Sequence, residues 1–262
     1  VQITHKGWNQ NIILFLAGQT ISLFGSYLVQ YAIMWHITLS TKSGIMMTLA
    51  IICGFLPTFF ISPFAGVWAD RFNRKNLIIL ADSFIAIATL ILAILFLMGY
   101  DELWLLFVVM AIRAFGAGVQ LPTIGAFLPQ MVSGDMLTKV NATMTSIESL
   151  VSLVSPMASG ALLTMATIET IFFIDVVTAA IAIFILLVFL KVPVHAKALN
   201  KQASGYFADM REGAAYINNH KYIKSFFIFC AVFFILAAPA SFLTPLQVAR
   251  SFGDDVWRLT AI

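Results

Sequence analysis

The chain has 262 residues, of which 61% are hydrophobic and only 10% charged, with a formal net charge of +3 and a mean hydropathy of +0.96. Soluble domains carry about a quarter charged residues, so this composition excludes a soluble globular protein and points to a polytopic membrane protein. The bases lie between apolar runs and leave no patch for nucleic acid. Cys53 and Cys230 fall inside apolar runs, without disulfide-framework or metal-ligand spacing, so neither a metal nor a cofactor is expected.

Residues 1–10 form a polar lead with Lys6, too short to hold the apolar core and cleavage site of a signal peptide. Runs long enough to cross about 30 Å of hydrocarbon follow at residues 12–36, 45–69, 77–98, 103–127, 137–165 and 168–190. A polar segment, 191–221, precedes a seventh run at 222–248. With the first end in the cytoplasm, Lys6, Arg71, Arg74, Lys75, Lys139, Lys191, Lys197, Lys201, Arg211, Lys221 and Lys224 all lie inside, while Lys42, Arg250 and Arg258 lie outside. That bias sets the orientation. Asp101, Glu102, Glu169, Asp254 and Asp255 fall in the outer loops. The polar segment, with Phe207, Met210, Ala214, Tyr216 and Ile217 among Asp209, Arg211 and Glu212, reads as an amphipathic helix on the membrane surface.

Polar residues inside the spans carry the functional reading, because a charge at a bilayer centre costs about 2.5–3.5 kcal/mol on insertion scales. Gln19, Ser22, Ser26 and Gln30 share one face of the first span; amides and hydroxyls among Phe15, Phe24, Tyr31 and Trp35 suit a large, mostly apolar ligand. Trp8, Trp35, Tyr100 and Trp104, near span ends, read as interfacial anchors. Asp82 is about five residues into the third span, where it is expected to reach water or the bases Arg74 and Lys75 in a structural role. Arg113 and Glu148 both fall near mid-membrane and are candidates to pair, with Asp175 in the sixth span as the competing partner. A static pair that only fixes helix packing is the alternative. Asn141, Thr145, Glu148, Ser152, Ser155 and Ser159 line one face of the fifth span, as either a wet cavity or a helix interface.

Residues 66–75 read Gly-Val-Trp-Ala-Asp-Arg-Phe-Asn-Arg-Lys. They resemble the loop between the second and third helices of the major facilitator superfamily, matching it at Gly66, Asp70, Arg71, Arg74 and Lys75. Asn73 stands where that pattern most often has Gly, and Asn tolerates the left-handed backbone expected there. Ala81-Asp82, Arg113-Ala114-Phe115-Gly116, Leu137-Thr138-Lys139, Ser155-Pro156 and Ile174-Asp175-Val176 further resemble bacterial macrolide-efflux proteins. Residues 155–160 are similar to the fifth-helix Gly-Pro-x-x-Gly-Gly signature of drug:proton antiporters, keeping Pro156 and Gly160 but with Ser155 and Ser159 in place of two glycines.

The resemblance implies an all-α major facilitator fold: a six-helix bundle over residues 1–190, a cytoplasmic linker over 191–221, and a seventh helix that starts a second bundle over 222–262. It implies proton-coupled efflux of a macrolide-like drug across a bacterial cytoplasmic membrane, by two bundles rocking around a central site. Lipid, a small-molecule substrate and protons would be its partners, with most of the second bundle absent from this chain. Arg113, Glu148 and Asp175 would couple protons, residues 66–75 would latch the cytoplasmic gate through Asp70, and Gln19, Ser22, Ser26, Gln30 and Ser152 would line the cavity. Other expectations are a lipid, lysophospholipid or other solute carrier on the same fold, or an inactive transporter fragment. An intramembrane enzyme lacks support, with no His-Glu-x-x-His or Gly-x-Ser-x-Gly motif.

Overall fold

The computed structural model describes residues 5–132, 134–190, 211 and 215–252, and among these there is no strand. Seven long helices follow one another: α1 (His5–Thr41), α2 (Gly44–Arg71), α3 (Arg74–Leu97), α4 (Leu103–Met131), α5 (Gly134–Met165), α6 (Ile168–Val188) and α7 (Lys221–Phe252). The first six are long and apolar enough to cross a membrane. They coincide with the six runs read from the sequence, and α7 encloses the seventh. Of the surface helix expected in the linker, Phe207, Asp209, Met210, Glu212 and Ala214 lie outside the described residues, as do Lys191, Lys197, Lys201, Asp254, Asp255 and Arg258.

The connections among the first six helices are short. At the end of α3, Gly99 takes the left-handed conformation (φ 86°). Its N–H donates to Phe96 O at 2.9 Å and that of Tyr100 to Leu95 O at 3.0 Å, the paired bonds of a Schellman stop. Between α2 and α3 only Phe72 and Asn73 are non-helical. Asn73 is not left-handed: it sits at φ −66°, ψ 112° and caps α3, its side chain accepting from Asn76 N. The expected turn conformation is corrected, because α2 and α3 meet through an extended linker whose need is an N-cap acceptor rather than a positive φ.

α2 packs chiefly against α4, α1 against α5 and α6, and α3 against α4 and α6. The apolar core is divided. One cluster gathers Leu28, Ile33, Leu92, Phe96, Leu106 and Phe172; a second gathers Ile12, Phe15, Ile78, Phe127, Val140 and Leu186; a third, smaller one holds Ala65, Ala81 and Val119. On α1, α3, α4 and α6 the positions of the first two clusters lie toward opposite helix ends, and the buried polar side chains fall between them among small and aliphatic residues such as Ala81, Ile85 and Val119. Trp35, only 3% exposed, belongs to the core rather than to the interface, whereas Tyr100 and Trp104 are exposed as expected. The seventh helix meets α1 and α2, and Arg250 Nη2 donates to Lys42 O at 2.9 Å.

Arg74 ties three helix ends together. Its Nε donates to Ala69 O at 2.8 Å, Nη1 to Ala126 O at 2.7 Å and Nη2 to Asp70 Oδ1 at 3.1 Å. Lysine has one nitrogen for these three acceptors. Arg74→Lys is therefore expected to destabilise the bundle by about 1–3 kcal/mol, the cost of leaving buried carbonyls unpaired. Thermal unfolding in detergent measures this, and an unchanged midpoint would show that the fork is dispensable.

Candidate functional site

The polar side chains between the two larger apolar clusters form a ladder with two levels. Helical spacing sets it up: Ser22 and Ser26 on α1, Asp82 and Thr89 on α3, and Arg113 and Gln120 on α4 are separated by four or seven residues, so each pair shares a face. Two turns at 1.5 Å per residue put the levels about 10 Å apart along α3.

At the first level the Arg113 guanidinium meets Asp175 from α6, Nη1 to Oδ2 at 2.5 Å, with Asp175 fully buried. The same nitrogen donates to Thr89 Oγ1, and Nη2 donates to Ser26 O at 3.1 Å. Ser26 Oγ donates to Asp175 Oδ1 at 3.2 Å, and Thr89 Oγ1 lies 3.1 Å from Oδ2. Four helices thus converge on one ion pair, and hydrogen bonds offset the desolvation that both charges suffer. Gly25 permits the approach of α1 to α6: a Cβ there would lie 2.0 Å from Thr178 Oγ1 and 3.1 Å from Asp175 Cα.

At the second level Asp82, 2% exposed, accepts from Ser22 Oγ at 3.1 Å and from Gln120 Nε2 at 2.6 Å. It neither reaches solvent nor pairs with the loop bases. Arg74 is engaged as described above, and Lys75 Nζ donates to Leu190 O at 2.7 Å. The expectation for Asp82 is corrected because its face of α3 turns into the bundle, not along the helix toward Arg74. Its place beside Ala81 was visible in the sequence, but nothing local signalled a partner on α1 or α4.

Glu148 is not the partner of Arg113. It is half-buried on α5, within electrostatic range of Tyr27, and makes no ion pair among the described residues. The α5 stripe divides: Ser155 and Ser159 are buried, with Ser159 Oγ donating to Leu28 O at 3.1 Å, whereas Asn141 and Thr145 are exposed and Ser152 is half-buried. Pro156 lies within α5 and Gly160 is buried beside Ser159.

The polar face of α1 divides as well. Gln19 and Ser22, each 2% exposed, point into the bundle, while Ser26 and Gln30 are half-buried. Spacing places these four on one face without saying which neighbour that face meets. Phe15 is likewise a core residue, edge-on to Phe127 at 5.3 Å. An apolar cleft of about 350 Å³ between α2, α3 and α4 is lined by Pro57, Phe84, Ala111, Ile112 and Phe115 and is separate from the ladder.

At the end of α2, Gly66 lies in the helix with nothing within 4 Å of an added Cβ. Asp70, 48% exposed on its side chain, is held one turn before Arg74. Arg71 closes the helix.

The family model described as Major Facilitator Superfamily matches residues 13–261. Macrolide efflux protein A of Streptococcus pyogenes is 28% identical over 242 residues, covering 92% of this chain and 60% of that protein. Macrolide efflux protein A of Enterococcus faecalis is 28% identical over 193 residues, covering 74% of this chain and 59% of that protein. An uncharacterized MFS-type transporter of Bacillus subtilis is 23% identical over 251 residues, covering 95% and 60%. The chain therefore spans about 60% of the length of the curated relatives it matches.

Proposed function

The chain belongs to the Major Facilitator Superfamily, and from that premise we propose that it supplies the first six-helix bundle, over residues 1–190, of a proton-coupled exporter of large, mostly apolar drugs of the macrolide class. Residues 191–221 are the cytoplasmic linker in this reading, and 222–262 begin the second bundle. The membrane is the bacterial cytoplasmic membrane, with the first end inside, as the Lys and Arg distribution favours.

The observation that carries the proposal is the buried Arg113–Asp175 pair with Ser26 and Thr89 around it. Ionisable residues inside a membrane protein that face the bundle interior mark ion or proton pathways. Protonation of Asp175 removes the charge that holds Arg113 to α6 and frees the guanidinium to engage other acceptors on α1. The packing of α1, α3, α4 and α6 then responds to one proton. Glu148, with the exposed polar half of α5, is the second candidate to titrate during exchange. Asp70, paired with Arg74 and partly exposed, would meet a helix of the other bundle in a closed cytoplasmic gate. Gln30 and Ser152 are the candidates left for lining a cavity.

The test is macrolide accumulation in cells expressing this chain or a form extended to twelve spans, each with and without a proton uncoupler. Lower accumulation with the extended form, cancelled by the uncoupler and by Asp175→Asn, is the expected result. Uncoupler-insensitive export would remove proton coupling. Unchanged accumulation of macrolides beside transport of lysophospholipid would move the function to a lipid carrier.

A further inference from the structure

Among the described residues the two-level ladder holds two carboxylates and one guanidinium, the other buried guanidinium, Arg74, being engaged at the helix ends. Arg113 satisfies Asp175. Asp82 has only neutral donors, Ser22 and Gln120, and both bind the same oxygen, Oδ1. Its other oxygen, Oδ2, is buried and has no hydrogen-bond partner among the described residues. The nearby ionisable groups offer no remedy. On α4, Arg113 is committed one level away; on α6, Asp175 is itself an anion; on α3, Arg74 lies about 12 Å back along the axis and is bound to three acceptors. On α1 the facing groups are the hydroxyl of Ser22 and the amide of Gln19, whose Nε2 is also buried without a partner.

An ionised carboxylate in such a place faces the full desolvation cost with no opposite charge to offset it, and a group so placed neutralises instead. Charge counting agrees: one guanidinium and one carboxylate make a neutral ladder only if the second carboxyl keeps its proton. The hydrogen-bond pattern agrees as well. Two donors on Oδ1 leave that atom as the carbonyl oxygen of a carboxylic acid; Oδ2 is then the hydroxyl, a donor with no acceptor among the described residues, which costs far less than an unpaired buried charge.

We infer that Asp82 is a neutral carboxylic acid in this conformation and a second proton-binding site of the bundle, two turns along α3 from the Arg113–Asp175 pair. The inference rests on the reading of the chain as a proton-coupled carrier and deepens it. Transfer of the proton to a water molecule breaks the Oδ2–H bond, forms an O–H bond on that water and leaves a carboxylate that requires a new donor; Gln19, one turn from Ser22 on the same face of α1, carries one in Nε2. Ionisation of Asp82 would thus pull on α1 at the level below the one where Asp175 holds it.

Infrared spectroscopy of the purified 262-residue chain, carrying isotope-labelled aspartate, tests this at neutral pH. The expected spectrum has the carbonyl stretch of a protonated aspartic acid, lost in Asp82→Asn and shifted in Gln120→Leu, which removes a donor from that carbonyl. A wild-type spectrum without such a band overturns the inference, whether or not the variants fold. So does a band that survives Asp82→Asn or ignores Gln120→Leu. Transport is read separately: absence of the band leaves export by the extended form standing, and absence of proton-coupled export leaves the protonation of Asp82 standing.

Discussion

Asp175→Ala is expected to lower the stability of the bundle by about 3–5 kcal/mol, because it strands the Arg113 guanidinium among packed helices with no counter-charge. Ser26 O and the Thr89 hydroxyl would remain as acceptors, but neither carries charge. The double variant Arg113→Met/Asp175→Leu is expected to recover most of the loss, since replacing both ions of a buried pair by apolar groups of similar volume is close to neutral. Thr89 supports this recovery: with the pair gone, its hydroxyl can donate to Ile85 O, 3.0 Å away on its own helix. Thermal unfolding in detergent of the wild type, Arg113→Met, Asp175→Leu and the double variant completes the cycle. A double variant no more stable than Asp175→Ala would mean that the level is held by shape rather than by charge. Under the proposed function, export fails in all three variants, so recovery of stability without recovery of export separates the architectural role of the pair from its proton-coupling role.

Gly25→Val is the second large effect. The space beside Gly25 is already occupied by Thr178 Oγ1 and Asp175. Thr178 cannot swing away cheaply, because a β-branched side chain in a helix has few χ1 choices and its hydroxyl is engaged with Asp175 O at 2.9 Å. α1 and α6 must therefore separate, which costs about 1–3 kcal/mol as overpacking and stretches the bonds from Ser26 to Asp175 and from Arg113 to Ser26 O. Gly66→Ala is the matched control. Nothing lies within 4 Å of its added Cβ, so it is expected to be neutral or to stabilise α2 by up to about 1 kcal/mol through helix propensity. Unfolding midpoints of both variants decide the matter. If Gly66→Ala proves the more damaging, the crowding at Gly25 is not what sets the α1–α6 distance.

The comparison of those two glycines shows where sequence patterns mislead. Gly66 belongs to the recognisable loop motif yet fills no crowded space against the described residues, while Gly25 sits in no motif and lies against the buried ion pair. Similarly, the sequence singled out Glu148 through its polar stripe, but the stripe splits between a packed half at Ser155 and Ser159 and an exposed half at Asn141 and Thr145.

What the sequence by itself determined depends on one segment at a time, although the local conformation of Asn73 escaped it. The six membrane-length helices follow from runs of apolar residues broken by charge, and the cluster of bases between the second and third follows from the same one-dimensional pattern. Helical periodicity further determined which residues share a face, as with Gln19, Ser22 and Ser26. Tertiary structure alone decided what each face meets, because the rotation of a helix about its axis and the neighbour it packs against depend on contacts far apart in the chain. That is why Arg113 found Asp175, sixty-two residues away, and why Asp82 turned from Arg74 on its own helix to Ser22 and Gln120 on two others.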